Sequence, residues 1–508
     1  MANASMGSRI ALADEHATNR LGADLALVLR PGDVVALSGE VGAGKSTLAR
    51  SIIRTLLDDE RAEVPSPTFT LVQPYEGETS RIIHADLYRL GDPSEAEELG
   101  LGELGEGIVL VEWPERGDLG DLATIRIALR ETNDGASREA EIEAQGEVLE
   151  RIKRSLIIRE FLGRSGHAEA SRGSMSADAS TRCYELIVSQ SDTLLLMDAP
   201  AMPDGPPVRD GLSYSRLAHL AEDVRPFVAV GEALRAHGFH APALHGIDLD
   251  KGLLLMDHMG DGSILQTDGR PNAERYAAVV EVLAAIHERD WPVSLPIPRT
   301  SDAHIVPPFD RRAMMIETEL TLDWAFPRLV GRPAAPEERD AFKTVWNEAL
   351  DAITQAEKSL VLRDVQCTNV VWRESAQGHN RVGLIDYQDA LMGPATYDLA
   401  SLAQDARVTI DETLEAGLLA AYHAARSTAP DPLFEQAYAV MAAQRATKLF
   451  GLWVRLDERD GKPEYLANMP RTHEYLTRNF RHPALQSVRA WFEAHDLLDR
   501  SLSLAKAA

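Results

Sequence analysis

The sequence predicts an α/β domain followed by an α+β domain of two lobes, and three observations carry that expectation. In the first 150 residues, short apolar runs, VVALSG (34–39), RIIHADL (81–87) and GIVLVEW (107–113), alternate with helix-like stretches, as in a sheet covered by helices. Beyond residue 180 strand-like runs come early (CYELIVSQ, DTLLLMDAP) and helical patterns dominate later, a segregation expected of an α+β chain. Between them the polar, acidic stretch SREAEIEAQGE (137–147) reads as a domain edge.

Taken in order, Pro31, Pro65, Pro67, Pro74 and Pro114 fall between the early elements, where a missing N–H does least harm. RIKRSLIIREFLGRSG (151–166) spaces Ile152, Leu156, Ile157 and Phe161 as on a helix and meets the stop signals Gly163 and Gly166. The small, polar run HAEASRGSMSADAS (167–180) then reads as a mobile loop, and YAAVVEVLAAIHERDW (276–291) as a core helix. The boundary implied lies at 148/149, giving domains 1–148 and 149–508. A length of 508 residues agrees, being long for one core.

Composition narrows the function classes. Hydrophobic residues at 44% and charged residues at 26% are ordinary for globular chains and exclude wholesale disorder or a fibrous architecture. The formal charge of -27 opposes direct, non-specific nucleic-acid binding. Cys183 and Cys367 are the two cysteines, far apart and outside any metal-ligand spacing, as suits a reducing cytoplasm. The first twenty residues carry acids and no apolar core, and no run of 18 apolar residues occurs, so neither export nor a membrane anchor is expected.

The segment 34–50, VVALSGEVGAGKSTLAR, is an apolar strand, then Gly39-x4-Gly44-Lys45-Ser46, then a helix start. This is a P-loop in its required context: Gly39, Gly42 and Gly44 let backbone N–H groups turn around phosphates, Lys45 adds a point charge, and the Ser46 hydroxyl can ligate Mg2+. Such a site also needs an acid at a strand end, and Asp86 and Glu112 both follow apolar runs. Taken alone, either could be an exposed strand-end carboxylate.

With GEVGAGKSTLAR, VPSPTFTLV (64–72), HADLYRL (84–90) and VEWPER (111–116) in this order, residues 10–145 resemble the TsaE-type ATPase of the bacterial tRNA threonylcarbamoyladenosine system. The resemblance implies that Lys45, Ser46 and Thr47 serve nucleotide and Mg2+, that SPTF (66–69) is switch-like, and that Asp86 and Glu112 are the essential acids. Glu40 stands where the family usually has Asp, which keeps the charge. The implied partners are the two subunits of the threonylcarbamoyl-transferase complex, with tRNA reached only indirectly.

A second constellation lies in SLVLRDVQCTNVVW (359–372) and GLIDYQD (383–389): Asp364-x4-Asn369, then Asp386. In kinase-like phosphotransferases one Asp accepts the acceptor hydroxyl's proton while an Asn and a second Asp hold metal against the phosphates. Here Asp364 takes the first role, Asn369 and Asp386 the second. The bland alternative is a β-hairpin whose ends carry common turn formers.

Residues 151–500 resemble the aminoglycoside-phosphotransferase-like kinases, and more narrowly those acting on the anomeric hydroxyl of N-acetylmuramate and N-acetylglucosamine. The segments concerned are ADASTRCYEL (177–186), LLLMDAP (194–200), LLLMDHMGD (253–261), LRDVQCTN (362–369), IDYQDALMGPATYDLASL (385–402) and QRATKLFGLWVRLDERDGKPEYL (444–466). The resemblance implies a hinge at 253–261 that places Met256 and Asp257 against adenine, and an Asp398 that fixes the helical lobe. Two departures stand out. Met197 and Asp198 occupy the place of a phosphate-binding Lys, with Lys251 elsewhere and Arg182 a possible substitute, and Leu362-Arg363 precede Asp364 without the usual His. For the sugar, Glu317, Glu319, Asp323 and Trp324, with Arg445, Lys448 and Arg455, offer polar forks and an aromatic face; for any one of them an amphipathic helix with a solvated charged face is the favoured reading.

The expectation is therefore an α/β P-loop NTPase domain followed by an α+β two-lobed, protein-kinase-like (aminoglycoside phosphotransferase) domain. Each would use ATP and Mg2+, one as an ATPase and one as an amino-sugar kinase. A kinase for aminoglycosides or other small alcohols, or a non-catalytic regulatory module, are the alternatives for the second half.

Overall fold

The computed structural model describes residues 8–77, 80–93, 95–96, 99, 107–117, 119, 122–132, 137–175 and 182–504. The chain divides into two compact units, one formed by Met1–Asp198, His245–Asp248 and Leu253–Met256, the other by Ala199–Leu244, Leu249–Gly252 and Asp257–Ala508. Among the described residues no helix is long and apolar enough to cross a membrane.

The first unit begins with β1 (Ser8–Leu12), α1 (Glu15–Ala26), β2 (Val34–Ser38), α2 (Lys45–Leu56), β3 (Val72–Glu76), β4 (Arg81–Asp86), β5 (Gly107–Glu112), β6 (Ile125–Glu131) and β7 (Arg138–Ala144). These strands form one sheet in the order β1-β7-β6-β2-β5-β4-β3. β2 lies parallel to β5 and β6, and β4 parallel to β5, so their carboxyl ends gather on one edge. Central strands buried on both faces read as continuous apolar runs, which is why VVALS and GIVLVE were legible. The α1 helix starts on Asp14, whose carboxylate accepts from the Ala17 N–H, and packs with α2 over Leu37, Leu48, Ile52 and Leu110.

Two expectations are corrected. The stretch 137–147 is no edge: 138–144 is β7, paired with both β1 and β6. Ala140, Ile142 and Ala144 face the core and the glutamates between them face out, a period-two pattern that its charge density concealed. Likewise 171–175 of the expected loop form β8 (Ser171–Met175), which pairs with β9 (Cys183–Val188). Residues 176–181, which include part of the ADASTRCYEL segment, lie outside the described residues.

The helix expected at 151–166 runs as α3 (Glu147–Arg164). Val148, Leu149 and Ile152 join the core of the seven-stranded sheet, while Ile158, Phe161 and Leu162 pack on a second sheet of the same unit. That sheet holds β8, β9, β10 (Thr193–Asp198), β11 (Leu244–Asp248) and β12 (Leu253–Asp257), in the order β11-β12-β10-β9-β8.

The second unit is mostly helical. Its longest helix, α8 (Pro432–Asp460), starts on the Asp431 cap, ends at Gly461 with φ 64°, and runs through a core that includes Phe342, Trp346, Phe450 and Phe492. Before it come α4 (Arg225–Ala236), α5 (Ala273–His287), α6 (Arg311–Thr318) and α7 (Thr396–Ala403). Two short antiparallel ladders, β13 (Lys358–Val361) with β16 (Leu391–Pro394) and β14 (Val370–Trp372) with β15 (Val382–Leu384), carry the segment around Asp364.

Candidate active sites

In the first unit the turn between β2 and α2 is bent by three glycines at positive φ, Gly39 (140°), Gly42 (84°) and Gly44 (103°), values that side chains tolerate poorly. A Cβ at Gly39 would also collide with the Leu129 carbonyl. Gly44 caps α2 without a side chain, which leaves the first N–H groups of the helix for an anion. Lys45 folds over this turn, donating to the Gly39 and Glu40 carbonyls at 2.8 and 2.9 Å, with its ammonium 3.7 Å from the Trp113 ring centre. Burial lowers the Lys45 pKa against the pull of Glu112, Glu115 and Asp86. Thr47 follows in the first turn of α2.

Glu112, at the end of β5, accepts from the Ser46 hydroxyl at 2.7 Å, and its other oxygen lies 2.9 Å from His84 Nε2. Asp86, at the end of β4, accepts from Ser66 and Thr68 hydroxyls at 2.7 and 2.8 Å and from the Tyr88 N–H at 3.0 Å. The structure thus joins Ser46 directly to Glu112 and ties the SPTF segment to Asp86. His84, Ser66 and Thr68 were not singled out as site residues. His84 sits two positions before Asp86 on β4, the only signal that could have found it. Among the described residues no three His, Cys, Asp or Glu side chains converge as a ready metal cage. This donor set fits Mg2+, which is held through few protein oxygens together with phosphates and water.

In the second unit the Asn369 amide donates to the Asp364 carbonyl at 2.9 Å and to Asp386 Oδ2 at 3.2 Å. Gln388 donates to Asp386 Oδ1 at 2.9 Å. The Asn369 side chain therefore joins the Asp386 carboxylate to the backbone of Asp364. The residue before it, Arg363, has φ 77°. That backbone is held by fully buried Asp398, which accepts from the Leu362 and Arg363 N–H groups at 2.6 and 2.8 Å.

Glu317 is fully buried, 2.5 Å from Arg363 Nη2 and 2.7 Å from Lys448 Nζ, and also accepts from Gln444. Burial alone would raise its carboxyl, but Lys448 and Arg363 bring it down to about 2. Of the residues expected at the sugar, Glu317 and Lys448 meet each other in this cluster. Asp323 instead pairs with Arg339 at 2.7 Å, Trp324 packs on the helical core, and Arg445 is buried on α8 near the Gln404 carbonyl. Glu319 pairs with Arg209, and Arg455 lies over the Tyr214 ring. Gln388 and the Asp398 contacts to the loop backbone went unforeseen.

In the five-stranded sheet Met256 is buried near the end of β12. Asp257 exchanges two hydrogen bonds with the Ala243 backbone, at 3.0 and 3.1 Å. Met197 is buried in β10 and Asp198 pairs with Arg154 of α3, so no lysine stands there.

A phosphate-cradling α/β domain ahead of an Asp-Asn-Asp phosphotransferase constellation defines the class. The comparisons agree: the threonylcarbamoyl adenosine biosynthesis protein TsaE family matches residues 12–140 and the phosphotransferase enzyme family residues 174–438. The chain belongs to the phosphotransferase enzyme family and carries a TsaE-family domain at its N-terminal end. An N-acetylmuramate/N-acetylglucosamine kinase of Caulobacter vibrioides is 31% identical over 347 residues, 66% of this chain and 94% of that protein. One from Pseudomonas putida is 31% identical over 312 residues, 59% of this chain and 81% of its own. A tRNA threonylcarbamoyladenosine biosynthesis protein TsaE of Aquifex aeolicus is 39% identical over 107 residues, 21% of this chain and 77% of its own.

Proposed function

We propose that this chain is a fusion of two ATP-using enzymes with separate nucleotide sites. Residues 1–148 form an ATPase that serves tRNA threonylcarbamoyladenosine modification by docking on the two subunits of the threonylcarbamoyl-transferase complex. Residues 149–508 form a kinase that phosphorylates the anomeric hydroxyl of N-acetylmuramate or N-acetylglucosamine in cell-wall recycling. Both activities are cytoplasmic. The observation that carries the kinase reading is the Asn369 amide, which ties Asp386 to the Asp364 backbone.

In the first half Lys45 and the N–H groups at the start of α2 hold the phosphates, and Ser46 with Glu112 and Asp86 forms the Mg2+ side. In the second half Asp364 takes the proton of the sugar hydroxyl as it attacks the γ-phosphate, and Asn369 and Asp386 hold the metal. Mg2+, when bound, neutralises charge on the phosphoryl oxygens. Met256 and Asp257 contribute to adenine binding, and Glu317 and Lys448 support the acceptor side.

The test uses γ-labelled ATP with N-acetylmuramate, N-acetylglucosamine and kanamycin as acceptors. Labelled amino-sugar product is expected, abolished by Asp364→Asn while ATP hydrolysis at the P-loop persists. Labelled kanamycin would favour the aminoglycoside alternative, and no product at all would favour a non-catalytic module.

A further inference from the structure

The second unit contains a cavity of about 450 Å3, within the range of small-molecule sites. Ser215, Arg216, His219, Glu222, Asp223, His304 and Gln388 supply its polar lining. Three of these leave a buried polar atom without a hydrogen bond, Gln388 Oε1, His219 Nε2 and His304 Nε2. Gln388 is itself 5% exposed. Where such atoms line a cavity, a bound molecule can supply the missing hydrogen bond. His219, at φ 54°, places Nε2 3.6 Å from Asp310 and outside hydrogen-bond geometry.

The cavity is also joined to the phosphotransfer residues. Gln388 forms its wall and donates through its other amide atom to Asp386, which shares the Asn369 amide with the Asp364 carbonyl. An N-acetylated amino sugar matches the lining. Its hydroxyls donate to carboxylates and to Gln388 Oε1, and they either accept from or donate to a histidine ring. Asp223 is already oriented by Arg225, at 2.8 Å to its N–H and 2.7 Å to its guanidinium.

We propose that this cavity receives the acceptor sugar, with Gln388 as the joint between sugar and metal-binding residues and His304 reading a sugar hydroxyl. The inference rests on the amino-sugar kinase reading and adds its binding site. In the full-length protein His304→Ala is expected to raise KM for both sugars about three- to tenfold, the worth of one hydrogen bond, with KM for ATP and kcat within about twofold. His304→Gln, which keeps a polar group, recovers part of the affinity.

A second readout does not depend on turnover or on a folded alanine variant. In the inactive Asp364→Asn protein, the His304 ring resonance, assigned by its loss in His304→Gln, should shift when N-acetylglucosamine is added. An active enzyme whose sugar KM ignores His304→Ala, or a His304 resonance unmoved by saturating sugar, overturns the inference and leaves the kinase reading standing. Failure of the wild-type chain to phosphorylate either sugar removes that reading and this inference with it.

Discussion

Arg159 of α3 donates from Nε and Nη2, at 2.7 and 2.6 Å, to the two carboxylate oxygens of buried Asp24 on α1. Arg172 of β8 approaches the same carboxylate at 3.4 Å while its guanidinium donates to Glu185 at 2.7 and 2.8 Å. An acid from the P-loop half thus neutralises cations of the helix and sheet that follow it, all within one folded unit. Removing one partner of such a pair strands a buried charge. Asp24→Ala should therefore cost about 3 kcal/mol in the unfolding transition of this unit. Calorimetry checks it against Arg489→Ala, whose exposed partner Glu493 predicts a change of less than about 1 kcal/mol. A fragment starting at residue 149 should likewise melt below the full-length chain.

Lys45 folds over the turn whose next residue, Ser46, donates to Glu112. Lys45→Ala is expected to lower ATP hydrolysis by the first half at least about a hundredfold, through loss of charge at the terminal phosphates. Sugar phosphorylation should remain, because Asp364, Asn369 and Asp386 do not depend on Lys45. Parallel assays of phosphate release and sugar phosphate formation measure both.

What the sequence disclosed and what it concealed have physical causes. The P-loop and the Asp364-x4-Asn369…Asp386 set were legible because backbone geometry and phosphoryl transfer demand particular residues at short, fixed spacing. Fold class was legible because β2 and β5 are buried on both faces. β7 was hidden because its outward glutamates dominate its composition. His84 on Glu112 and Lys448 on Glu317 pair residues 28 and 131 positions apart, contacts that no local pattern encodes. Asp323 and Trp324 looked like ligands by residue type, yet one pairs with Arg339 and the other packs on the core.

Asp398 holds the loop before Asp364 through two backbone N–H groups and sustains the positive φ of Arg363. It is a positioning residue. Asp398→Ala should leave two buried donors unpaired, cost about 2–4 kcal/mol in stability, and lower kcat for sugar phosphorylation more than it raises KM for ATP. Steady-state kinetics below the variant's melting temperature separates the two effects.

Glu317 gives the second unit an acid-sensitive element. Its carboxyl is depressed from 4.5 to about 2 by Lys448 and Arg363 against the effect of burial. A depressed folded value means that the contribution is fully present above about pH 4.5 and is lost as pH falls towards 2. Thermal melts across that window should show a falling midpoint. Glu317→Gln should remove that part of the slope and lower stability by about 3–5 kcal/mol at neutral pH, since two buried cations lose their counter-charge.

The central claim, that one polypeptide holds two independent magnesium-nucleotide sites, is tested most directly by the binding stoichiometry of a non-hydrolysable ATP analogue with Mg2+. The account predicts two equivalents per full-length chain, falling to one in Lys45→Ala, to one in Asp386→Ala, and to none when both are combined. A single equivalent in the wild-type chain, or a loss of both in either single variant that remains folded, would contradict it.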